Sequence, residues 1–193
     1  MQDFWLYFNL GKEHIADLSG YDHILFVTAL CLRYVIQDWK KILILVTAFT
    51  IGHSITLALS VLNYVQVSTA WIEFLIPITI LVTAAANVFG NTGQQKSRVS
   101  LIYLLALFFG LIHGLGFSNY LKSLLGKDTN IVSELLAFNI GLEVGQLLIV
   151  AVVLLVSVIC VQLLKVQRRE YLLFASGAVF GIALLMTLER FPD

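Results

Sequence analysis

The chain has 193 residues, 59% of them hydrophobic and 12% charged, with a mean hydropathy of +0.91. A soluble domain of this size could not cover so much Leu, Val, Ile and Phe, so the composition is that of an integral membrane protein. The 12 basic and 12 acidic residues cancel, which argues against a nucleic-acid surface, and both cysteines, Cys31 and Cys160, lie in apolar runs, which argues against a disulfide framework.

The first ten residues have no basic n-region, and no small-residue cleavage site follows, so the first span is expected to serve as its own insertion signal. Phe4-Trp5-Leu6-Tyr7-Phe8, followed by Lys12, Glu13 and Asp17, is aromatic and mixed with charge. The segment 1–19 is predicted to lie as a helix in the headgroup region. Six spanning helices are predicted after it, at about 21–36, 42–62, 71–89, 101–120, 135–164 and 171–188, each near the ~20 residues that ~30 Å of hydrocarbon demands. The fifth is longer than needed and is expected to tilt or to emerge at one end. The polar loop 90–96 separates two groups of three helices, and no internal repeat aligns them. The expected fold is therefore all-α, a six-helix transmembrane bundle forming one domain over residues 1–193.

In this arrangement Arg33, Lys40, Lys41, Lys96, Arg98, Lys165, Arg168 and Arg169 fall on one side, and Lys12, Lys122, Lys127 and Arg190 on the other. The excess of positive charge in short loops marks the cytoplasmic face, which puts both termini outside the cytoplasm.

A rise of 1.5 Å per residue then sets the depth of each polar group. His53 lies roughly 18 Å from the cytoplasmic face and His113 about 22 Å, while Asp22 and His23 open the first span at the outer surface. Glu143 lies roughly 13 Å below Glu134 on the fifth span. Imidazoles and carboxylates thus share one outer slab. Thr50, His53, Ser54 and Leu57 fall on one helical face, and Asn139, Glu143 and Gln146 form a second polar stripe. Gly110-xxx-Gly114, Gly141-xxx-Gly145 and Gly177-xxx-Gly181 carry the small-residue spacing that lets membrane helices touch.

Plainer roles exist for several of these groups. Asp22 can cap its helix, Ser54 and Thr50 can bond back to their own backbone, and Glu73 beside Trp71 can snorkel to the interface. His14, with Asp17 three residues on, reads as a surface group of the interfacial segment, at most supporting the ligands. Glu143 is different. A mid-helix carboxylate with no basic partner in any span requires a cation or a proton. The candidate metal ligands are accordingly His23, His53, His113, Asp22 and Glu143, with Thr50, Asn139, Gln146 and His14 as supporting residues. Imidazole and carboxylate without thiolate suit Ni, Co, Zn or Cu(II).

Four stretches carry a family resemblance: Gly20-Tyr21-Asp22-His23-Ile24-Leu25-Phe26, 47–57 around His53, Phe109-Gly110-Leu111-Ile112-His113-Gly114 and 138–147 around Glu143. In these, and in their order along most of the chain, the sequence resembles the HupE/UreJ family of bacterial membrane proteins. The resemblance implies an inner-membrane nickel or cobalt permease with Asp22, His23, His113 and Glu143 as its motif residues and His53 beside them. Better-studied nickel permeases of this kind carry His-Pro six residues before the Asp. Here that position is Ala16, and His14 stands eight residues before Asp22.

The first functional expectation is a divalent-metal permease in the bacterial inner membrane, with metal ion and lipid as partners and the oligomeric state left open. The alternative is an intramembrane zinc hydrolase, in which Asp22 or Glu143 acts as general base and Ser54 steadies an oxyanion.

Overall fold

The computed structural model describes residues 2–90, 99–124 and 131–192. The polar loop after Gly90, with Lys96, lies outside the described residues, as do Arg98 and Lys127. The described chain is all-α: α1 (Gln2–Ile15), α2 (Asp22–Cys31), α3 (Trp39–Val61), α4 (Thr69–Phe89), α5 (Val99–Leu124), α6 (Ile131–Val158) and α7 (Arg168–Glu189). Five described segments are long and apolar enough to cross a membrane, namely α3 with the 3-10 turn before it, α4, α5, α6 with the π turn after it, and α7.

The expected six spans therefore need correction at the first, because α2 has only 10 residues. Leu32 still bonds back to Thr28, but Val35 is extended at φ −119° and ψ 167°. The Arg168 guanidinium takes the freed carbonyls of Leu32 and Tyr34 at 2.7 and 2.6 Å and also donates to the Ser157 hydroxyl. A cation at a helix C-terminus satisfies orphan acceptors and opposes the negative end of the dipole. The fifth predicted span starts earlier than expected, at Ile131, and closes in a π turn, Ile159–Leu163, with Lys165 at φ 57° turning the chain towards α7.

The placement of α1 also differs from an interfacial helix lying apart from the bundle. Its backbone packs directly on α6, with Phe8 against Gly141, Gly11 against Phe138 and Leu142, and Lys12 and Ile15 against Gly145. These contacts advance in the same sense along both helices. The contacts of α2 with α6, and the tie of Leu32 through Arg168 to Ser157, continue that line. α1 and α2 thus follow α6 one after the other, interrupted at residues 16–21. Composition could not reveal this, because the contact is made by glycines more than 120 positions apart from the residues they receive.

α3 and α5 form the closest seam. A Cβ on Gly52 would meet the Leu107 carbonyl, one on Gly110 the Phe49 carbonyl, and one on Gly114 the His53 carbonyl and the Thr56 hydroxyl. Near one end the seam is pinned by the Ser60–Ser118 hydrogen bond at 2.9 Å. The third glycine pair does no such work, since Gly177 and Gly181 face open space.

Candidate metal centre

Four elements meet at the break between α1 and α2. His14 sits one residue from the end of α1, His23 in the first turn of α2, and His53 two turns below the end of α3. Each of these three histidines offers a ring nitrogen, and the three nitrogens lie within 4.8 Å of one another. His113, from α5, stands beside His23 with ring centroids 5.0 Å apart. His23 touches all three of the others.

The nitrogens are short of partners. His14 Nε2, His23 Nε2, both nitrogens of His53 and Nδ1 of His113 are buried with no hydrogen bond. Native proteins rarely leave such atoms unpaired, because each costs about 1–3 kcal/mol. Three imidazole nitrogens converging without protein partners could hold a first-row transition metal. Nitrogens sharing one ion stand about 3.3 Å apart, so ligation needs the rings to draw in by about 1 Å.

Asp22 prepares His23 for this role. Its Oδ1 accepts the His23 backbone N–H at 2.9 Å and lies 3.2 Å from His23 Nδ1, which leaves Nε2 free for the ion. A carboxylate holding the far ring nitrogen fixes tautomer and orientation. Asp22 is thus placed to orient a ligand. The expected result of Asp22→Asn is a 10- to 100-fold loss of metal affinity with unchanged stoichiometry, measured by titration of the purified protein.

A cavity of about 310 Å³ leads to the site, walled by His14, His23 and His113 and bordered by Asp17, Asp22 and Glu73. His53 lies beyond it, fully buried. On the far side the rings of Phe26, Phe49 and Phe109 form a layer. Phe26 and Phe49 stand 5.0 and 5.2 Å from His113, while Phe138 lies apart from them, stacked on His53 at 6.2 Å and on Phe117 at 5.1 Å. Phe26 in turn packs on Phe49 and Phe109 at 5.0 and 5.8 Å.

The other sequence candidates occupy different places. His113 Nε2 is 3.0 Å from the Thr79 hydroxyl, and His113 is not one of the three residues whose nitrogens converge within 4.8 Å. Glu143 accepts the Thr47 hydroxyl at 2.7 Å, and Gln146 accepts that of Thr50 at 2.8 Å, on the α3–α6 seam. Thr47 and Thr50 precede His53 by six and three residues, so this pair of bonds lies one to two turns past the histidines. Ser54 donates to the Thr50 carbonyl, and Asn139 to that of Leu135. Sequence reasoning left His14 among the supporting residues. The signal that could have promoted it is the pair of short helical runs on either side of residues 16–21, with a histidine at each inner end.

The family model described as HupE / UreJ protein matches residues 1–190. The chain belongs to the HupE / UreJ family. No curated protein and no solved structure matches it. In this HupE / UreJ protein the Asp-His pair, His53, His113 and Glu143 come from four different helices. The first three of these elements, with His14, surround one small volume.

Proposed function

We propose that this HupE / UreJ protein is a divalent-transition-metal permease of the bacterial inner membrane, with its cavity on the periplasmic side. The observation that carries the reading is the convergence of His14, His23 and His53 within 4.8 Å, at the bottom of an acid-rimmed cavity. The family supports nickel or cobalt as cargo, and the imidazole set is equally suited to zinc or copper.

In this reading α1 and α2 together make the first crossing, interrupted at the depth of the site. The carbonyl end of α1 faces the ion, a favourable orientation for a cation at a broken helix. Arg33, Lys40, Lys41, Lys165, Arg168 and Arg169 lie at the other end of the bundle, which supports a cytoplasmic location for that end and periplasmic termini. Asp17, Glu73 and Asp22 draw the hydrated ion in, and the imidazoles replace its water. The phenylalanine layer then parts, and Thr50, Gln146, Thr47 and Glu143 offer oxygen donors along the α3–α6 seam.

Uptake of labelled Ni²⁺, Co²⁺, Zn²⁺ and Cu²⁺ into proteoliposomes tests the proposal, alongside elemental analysis of the purified protein. Accumulation of at least one ion, lost in the His14→Ala and His23→Ala variants, is the expected result. The closed phenylalanine layer is the one feature that favours the hydrolase instead. Retained stoichiometric metal with no uptake of any ion would move the assignment there, although the Ser54 hydroxyl is already engaged by the Thr50 carbonyl.

A further inference from the structure

We propose that Arg190 determines ion selectivity, as a tethered cation that occupies Asp22 and must be displaced by the incoming metal. The inference deepens the permease reading and rests on it. Arg190 caps the C-terminus of α7, and its Nη1 donates to Asp22 Oδ2 at 3.2 Å. The other oxygen, Oδ1, is engaged by His23. A single carboxylate thereby joins a metal-facing imidazole to a guanidinium, and both charged partners line the same cavity.

The position is unusual for a basic residue. A cavity that admits a cation is bordered by Asp17, Asp22 and Glu73, yet one of these carboxylates already has a positive partner. The partner is also held in place. Phe191, the next residue, packs edge-on against Phe74 of α4 at 5.3 Å, so the guanidinium has a short tether beside the site.

The consequence follows from charge. A monovalent ion gains at Asp22 no more than the guanidinium already supplies there, and neither it nor divalent Mg²⁺, an oxygen-seeking ion, gains much from imidazole. A divalent transition ion brings twice the Coulomb attraction and three nitrogen ligands, enough to move Arg190 away from Asp22. Glu73 and Asp17, on the same cavity wall, receive the guanidinium when it leaves. Arg190 thus keeps abundant hard cations from resting at the mouth while it lets the scarce soft ones pass.

The test uses the full-length protein in nanodiscs, titrated with Ni²⁺ and Zn²⁺ in the absence and presence of millimolar Na⁺ and Mg²⁺. Wild type is expected to bind one ion, with affinity insensitive to Na⁺ or Mg²⁺ at matched ionic strength. Arg190→Gln is expected to keep the stoichiometry, tighten Ni²⁺ binding about tenfold, and become open to competition by Mg²⁺. Arg190→Lys keeps the charge with a more compact, single-point donor and is expected to fall between the two. Affinity in Arg190→Gln that is unchanged or weaker, with competition as in wild type, overturns the proposal and leaves Arg190 as a residue that positions Asp22. Should Arg190→Gln not fold, wild-type affinity and competition in Arg190→Lys overturns it in the same way. Failure of wild type to bind either ion is a different result, and it removes the permease reading itself.

Discussion

Replacing His53 by alanine is expected to abolish stoichiometric binding of Ni²⁺ or Zn²⁺, with at least a ~100-fold loss of affinity, because losing a residue that merely orients a ligand already costs 10- to 100-fold. His53 is fully buried and neither of its ring nitrogens has a protein partner. Its imidazole is therefore held in place at a cost that a bound ion or water offsets. Ligand-induced stabilisation should vanish with it. At a metal concentration 100 times the dissociation constant, wild type gains about 2.7 kcal/mol, and His53→Ala should show no shift in melting temperature. His113→Ala is the informative comparison. His113 has one nitrogen near Thr79 and one unpaired, so a smaller loss is expected there. Equal loss in both variants would mean that His113 ligates alongside His53 and that the three-histidine assignment is incomplete.

The second large effect is expected at Gly114. An alanine there drives its methyl into the His53 carbonyl and the Thr56 hydroxyl, backbone and short side chain with no freedom to retreat. Overpacking of this kind costs about 1–3 kcal/mol. Because the carbonyl that must yield belongs to His53, pushing α3 away from α5 also displaces that imidazole from His14 and His23. Gly114→Ala should lower thermal stability in detergent and weaken metal binding together. Gly177→Ala supplies the control, since its Cβ meets nothing within 4 Å. It is expected to be neutral or stabilising by up to about 1 kcal/mol, as for Gly to Ala in a helix interior. Equal damage from both substitutions would show that the α3–α5 seam is not what sets the site.

The contrast between these glycines shows what the sequence could and could not convey. Gly110-xxx-Gly114, Gly141-xxx-Gly145 and Gly177-xxx-Gly181 have identical spacing, and spacing records only which face is small. Whether a neighbouring helix comes to use that face depends on the rest of the bundle. Hydropathy was sufficient for five crossings, because length and apolarity are local properties of α3 to α7. It misled at residues 21–36, where an equally apolar run is cut short by an arginine supplied from α7.

His14 and Glu143 illustrate the same limit at the site. Counting residues gave depth along each helix, and so the common slab for His23, His53 and His113 was legible. Azimuth and helix neighbours were not. Glu143 stands out in the sequence because it is a carboxylate among aliphatics, and its side chain goes to Thr47. His14 drew less notice among Lys12, Glu13 and Asp17, and its helix brings it to the centre through glycine contacts made far away in the chain.

The layer of Phe26, Phe49 and Phe109 rings has an electrical consequence. These three rings offer no hydroxyl, amide or ring nitrogen along which protons could hop, and benzyl groups at 5–6 Å leave little room for a file of water. In the permease reading, an ion held by the imidazoles faces that thin hydrocarbon septum, across which the membrane voltage falls. On that reading, rotation of a few aromatic side chains is the step at which a charge crosses the field.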